Sequence, residues 1–129
     1  MPKYILEKSL DIEPLIATRD FLAEALNKAE NKFEIAGAIQ SFEVCYELTW
    51  KTLKKVLNFY GIEALNPREV FRLAAEQGLI SNPKNWFVYL KKRNITVHEY
   101  QEEIMEKVYP SLPKFLKDLN TLISKLEKL

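Results

Sequence analysis

Between Glu34 and Tyr60 the chain carries one long apolar stripe. Phe42, Cys45, Tyr46, Thr49, Leu53, Val56 and Tyr60 recur at helical spacing, so they share one face of a helix. Gly61 follows, where a left-handed residue closes a helix without steric cost. A helix of this kind must bury its stripe against other elements. The chain offers little material for a sheet. It has only three glycines, and the Asn-Gly and Asp-Gly pairs that close tight hairpins are absent.

Helix signals fill the remainder. A first helix is expected to start near Asp11 to Pro14 and run to about Asn31, with Leu15, Leu22, Leu26, Ala29 and Phe33 on one face. In Asn66-Pro67-Arg68-Glu69, Asn66 can cap the free amides, Pro67 lacks the amide that would go unpaired, and Glu69 suits the positive helix end. Gly78 ends that third helix. Asn82-Pro83 repeats the start for a fourth, which carries Trp86, Phe87, Tyr89 and Leu90 into Arg93. Thr96-Val97-His98-Glu99 matches a capping box, which predicts a break between Arg93 and about Gln101. Pro110 and Pro113 interrupt the last helix, whose final part carries Leu116, Leu119, Ile123 and Leu126. The pattern predicts an all-α, antiparallel up-and-down four-helix bundle with an additional short helix, forming one domain over residues 1–129.

Composition excludes several classes of protein. Hydrophobic residues make up 47% and charged residues 29% of 129, a globular profile. A formal net charge of +1 argues against a broad basic surface that holds nucleic acid by charge alone. The lone Cys45 cannot form an intrachain disulfide, which fits a reducing cytoplasm, and its apolar neighbours suggest a buried thiol. One histidine and one cysteine cannot supply a structural zinc site within one chain. No apolar run reaches a membrane span, and the N-terminus lacks the apolar stretch of a signal peptide.

The chemistry concentrates in RNITVHEY, Arg93 to Tyr100, which holds the single histidine. A histidine can take or give a proton near neutrality. An arginine stays charged and grips phosphate with parallel hydrogen bonds. Together His98 and Arg93 could split a phosphodiester without metal, Arg93 neutralising the phosphorus oxygens and an RNA 2′-hydroxyl attacking. Lys91 and Lys92 add local positive charge. The same residues also suit plain helix ends, with Arg93 favoured by the dipole. A second group lies on helix two. Glu43 and Glu47 share a face, Glu47 can pair with Lys51, and Trp50 beside them can wall a cleft. A solvated helix face is the plainer reading of those four. Arg68 and Arg72 read mainly as solvated surface.

Three segments, taken together, resemble a known family. SFEVCYELTWKTLKKVL, NPREVFRLAAEQGLI and WFVYLKKRNITVHEY are similar, in that order, to segments of the nucleotidyltransferase substrate-binding subunits within the HEPN superfamily, relatives of the HepT toxins. They cover most of residues 41–100. The resemblance implies a HEPN-like helical fold and a homodimer whose two motifs face one cleft. It implies a separate minimal nucleotidyltransferase as partner, since this chain has no Gly-Ser followed by paired aspartates. On the pattern of HEPN ribonucleases, Arg93 and His98 would be the catalytic pair, with Asn94 assisting. Tyr100 matches the tyrosine that a partner adenylylates in related toxin–antitoxin pairs. Nucleotide or RNA is the expected ligand, and a third reading is a non-catalytic nucleotide- or substrate-binding module in which the dimer cleft, walled by Trp50 and Trp86, would stack a base. No cofactor or metal is implied. Gln101 departs from the Asp or Asn expected after the tyrosine, and Gln caps poorly.

Overall fold

The computed structural model describes residues 1–129. Six α-helices follow a short N-terminal hairpin: α1 (Glu13–Lys28), α2 (Lys32–Phe59), α3 (Pro67–Glu76), α4 (Pro83–His98), α5 (Gln101–Lys107) and α6 (Leu112–Leu126). A 3-10 turn at Tyr109–Ser111 joins the last two. The predicted all-α bundle is present, with α2 as its longest member. No helix is long and apolar enough to cross a membrane.

Several helix ends sit where the side chains direct them. The Asn66 side chain accepts from the Glu69 amide at 2.9 Å, and the Asn82 side chain accepts from the Lys84 amide at 3.0 Å. Gly61 and Gly78 take φ of 79° and 75°, the left-handed closure expected of them. Pro113 falls in the first turn of α6, where its missing amide costs nothing.

Other ends differ from expectation. The first helix stops at Lys28 rather than Asn31. Asn31 instead caps α2, its side chain accepting from the Phe33 and Glu34 amides at 3.0 Å each. Phe33 therefore leaves the α1 face and stands exposed in the first turn of α2. Tyr60 lies just past α2 and is exposed, so the buried stripe ends at Leu57. Only Ala29–Asn31 separate α1 from α2, which makes them an antiparallel pair.

The hairpin is the element that glycine counting misses. Tyr4–Ile5 (β1) pairs antiparallel with Leu10–Asp11 (β2). The turn runs through Leu6, Glu7 and Lys8 at φ of 54°, 57° and 69°, a region that costs a non-glycine residue about 1–2 kcal/mol. Compensation comes from three sources. Asp11 accepts from the Lys3 and Glu13 amides at 2.8 and 3.0 Å, and those bonds hold its carboxyl below its ordinary value. The Leu6 side chain is buried, and its amide donates to the Leu129 carbonyl at 3.3 Å.

One hydrophobic cluster runs through every helix. Its centre is aromatic. Phe42 meets Phe115 edge-on at 4.8 Å, Phe71 stacks on Trp86 at 5.1 Å, and Tyr89 meets Phe115 at 5.1 Å. The Tyr89 hydroxyl donates to Asp118 at 2.5 Å. Burial, and then that carboxylate, push the Tyr89 phenol up. Cys45 is fully buried, as its neighbours suggested.

Burial pushes the Cys45 thiol up to about 11 from 9.0. A raised pKa in the folded state gives stability that is fully present below the unfolded value and fades as pH rises towards the folded one. The loss therefore falls between pH 9 and about 11. Urea melts at about pH 8 and about pH 10.5 should lose less stability in Cys45→Ala than in the wild type. An equal loss in both proteins would remove the thiol as a cause of alkaline destabilisation.

Candidate functional site

The candidate site lies where the middle of α2 faces the second half of α4. The α2 stripe turns Cys45, Tyr46 and Thr49 inward, which leaves Glu43, Glu47 and Lys51 on the flank beside α4. On α4, Trp86 and Tyr89 are buried in the core. Arg93, one and two turns further on, projects from that same side and so meets α2.

The result is a groove of about 270 Å³ lined by Glu43, Val44, Glu47, Leu48, Lys51 and Arg93. Glu47 is its hub. One carboxylate oxygen lies 3.7 Å from Arg93 Nε. The other lies 3.7 Å from Lys51 Nζ and accepts from Trp50 Nε1 at 3.3 Å. Arg93 is only 27% exposed, and its Nε is buried with no hydrogen bond of good geometry. The guanidinium is thus held by charge and packing. Below it, the buried Tyr46 hydroxyl has no hydrogen-bond partner. Burial, then the Glu47 charge, push that phenol up, while Arg93 and Arg68 oppose them.

The two groups read separately from the sequence therefore meet: Glu43, Glu47 and Lys51 share one groove with Arg93, and Trp50 buttresses it. The other predicted residues stand apart. Asn94 lines a neighbouring pocket with Arg68, Phe87 and Lys91. His98 is exposed in the last turn of α4. Five residues at about 100° each place it roughly 140° around the axis from Arg93. Tyr100 is 84% exposed at the break before α5, where its backbone is extended.

Two expectations are corrected. Thr96 to Glu99 do not form a capping box. Helix α4 continues through Thr96, Val97 and His98 and ends there, and Thr96 Oγ1 instead donates to the Arg93 carbonyl at 2.6 Å. The break itself falls within the expected stretch, at Glu99 and Tyr100, and α5 starts at Gln101 without a side-chain cap. Trp86 walls no cleft, because it stacks on Phe71 in the core at 3% exposure. No three His, Cys, Asp or Glu side chains gather as a metal ligand set.

Comparison with known proteins decides the family. Residues 10–128 match the family described as nucleotidyltransferase substrate binding protein like. The chain belongs to this family. It is 37% identical over 99 residues to a Haemophilus influenzae protein named probable ribonuclease HepT, covering 73% of this chain and 68% of that one. A Thermus thermophilus protein of known crystal structure superposes with a TM-score of 0.80 at 28% identity, over 87% of this chain and 98% of that one. A second solved structure, from Haemophilus influenzae, is described as having the fold of a substrate-binding domain of a nucleotidyltransferase. It superposes with a TM-score of 0.77 at 29% identity, over 87% and 96% of the two chains. The HEPN-type resemblance of the three segments thus extends, as a family match, to the terminal helices.

Proposed function

We propose that this family member is the substrate- or nucleotide-binding half of a two-protein system, acting with a separate small nucleotidyltransferase. The observation that carries this reading is the family match together with the absence of paired strand aspartates in this chain. Transfer chemistry then belongs to the partner, and this chain supplies the groove and an acceptor. Tyr100 suits the acceptor role because its hydroxyl stands clear of the fold beside a helix break. Its phenolic oxygen would attack the α-phosphorus of ATP, pyrophosphate would leave, and the phenolic proton would pass to a base or to water.

The working unit in this proposal is a homodimer in the cytoplasm. An open apolar groove of about 410 Å³ between α1 and α2 supports it, lined by Ala17, Phe21, Gly37 and Val44 among others. Phe21 is 66% exposed there, and Val44 lines this groove and the Arg93 groove alike. A second copy covering that face would close over the site.

The second reading is a metal-independent ribonuclease, favoured by the name of the Haemophilus influenzae relative and by Arg93 lying in an open groove. Arg93 would stabilise the phosphorus oxygens and His98 would move the proton, with Asn94 assisting. The primary reading is tested by asking whether this chain and a small nucleotidyltransferase co-purify.

A further inference from the structure

Beside the Arg93 groove, on the other flank of α4, lies a pocket of different character. It has a volume of about 320 Å³ and is lined by Arg68 from α3 with Phe87, Val88, Leu90, Lys91 and Asn94 from α4. About 300 Å³ is the lower end of small-molecule sites. Its two charges are both positive and no acid lines it. Neither Arg68 nor Lys91 forms an ion pair, whereas Arg19, Arg72 and Arg93 each do. In the Arg93 groove, by contrast, Glu43 and Glu47 balance Lys51 and Arg93.

Arg68 is also held in place. Its guanidinium carbon sits 4.5 Å from the centroid of the Phe87 ring. An aromatic ring under one face of a guanidinium restrains the fork while leaving its N–H edge free to donate. Lys91 is one turn of α4 beyond Phe87, and Asn94 nearly one turn beyond Lys91, so one stripe carries the ring, the ammonium and the amide. The amide both donates and accepts, as recognition of a sugar or base edge requires.

We propose that this pocket binds a phosphate-bearing nucleotide, with Arg68 and Lys91 on the phosphate and Asn94 on the nucleoside. The inference rests on the reading that the chain handles nucleotides, and it assigns that ligand a site separate from the Arg93 groove. The two cations complement a doubly charged phosphate. Val88, Leu90 and the Phe87 edge offer the apolar wall that a nucleoside needs. The phosphate can belong to a free nucleotide or to a single RNA strand, and the test separates these.

The full chain is titrated calorimetrically with AMP and, separately, with a short single-stranded oligoadenylate. The proteins are wild type, Arg68→Gln/Lys91→Gln, and Arg72→Gln as a surface control. Both pocket positions are exposed, and matching circular dichroism spectra verify the fold. The double variant should bind about tenfold more weakly or worse, while Arg72→Gln stays at the wild-type value. Weakening with AMP identifies a free nucleotide, and weakening with the oligoadenylate alone identifies a strand. Failure of the wild type to bind either probe overturns the site, as does equal binding by wild type and double variant. Co-purification with the nucleotidyltransferase, run on the same proteins, reports separately on the parent reading. A double variant that keeps the partner and loses the nucleotide supports the pocket.

Discussion

His98→Ala should slow RNA cleavage by at least about a hundredfold, with Arg93→Ala slowing it comparably, if the ribonuclease reading is right. The measurement is turnover of a labelled RNA in excess chelator, with all three proteins checked for equal helicity. The two residues fail for different reasons. Without His98, the chain has no imidazole left to move the proton. Without Arg93, charge building on the phosphorus oxygens meets Glu43 and Glu47 with only Lys51 to offset them. Glu47→Gln gives a sharper contrast, because it frees Arg93 from its 3.7 Å ion pair without removing the cation. Equal rates in wild type, His98→Ala and Arg93→Ala would end the ribonuclease reading and leave the binding role standing.

Tyr100→Phe should abolish modification outright if Tyr100 is the acceptor, since the reaction needs an oxygen that phenylalanine lacks. The chain is incubated with the nucleotidyltransferase, ATP and magnesium, and its intact mass is recorded. Wild type gains one adenylyl group and Tyr100→Phe gains none. Stability should be unaffected, because the Tyr100 ring is 84% exposed and its side chain caps nothing. Tyr46 and Tyr89 are poor competitors. Both hydroxyls are inside the core, and burial pushes both phenols up, away from the nucleophilic phenolate. An unchanged mass gain in Tyr100→Phe would move the acceptor elsewhere.

The fold was largely legible because its signals are local. The α2 stripe, the Asn66 and Asn82 caps and the left-handed glycines each depend on residues within a turn or two. What failed depends on distant partners. The N-terminal hairpin turns on three left-handed non-glycine residues, tied down by Asp11 and by the far C-terminus. The pattern Thr96-x-x-Glu99 fits the last turn of one helix as well as the first turn of the next, and here it closes α4, with Thr96 bonding back to Arg93 and Glu99 as the extended residue that ends the helix.

The site was legible in parts but not in assembly. Glu43, Glu47, Trp50 and Lys51 were singled out by helix spacing, and Arg93 by its neighbours. Their convergence depends on how α2 lies against α4, which no local pattern encodes. Trp86 was misread because an aromatic near a polar motif looks the same in sequence whether it lines a cleft or stacks on Phe71. The Arg68–Phe87 pair was missed for a related reason: its halves sit on different helices, and Arg68 alone resembles solvated surface.

In the proposed function this chain works as a dimer together with a separate nucleotidyltransferase. Size-exclusion chromatography with in-line light scattering tests it most directly, on the chain alone and mixed with that enzyme. The expected result is twice the 15.1 kDa chain mass for the chain alone and a heavier co-eluting species for the mixture. A 15.1 kDa monomer that elutes apart from the enzyme would contradict it.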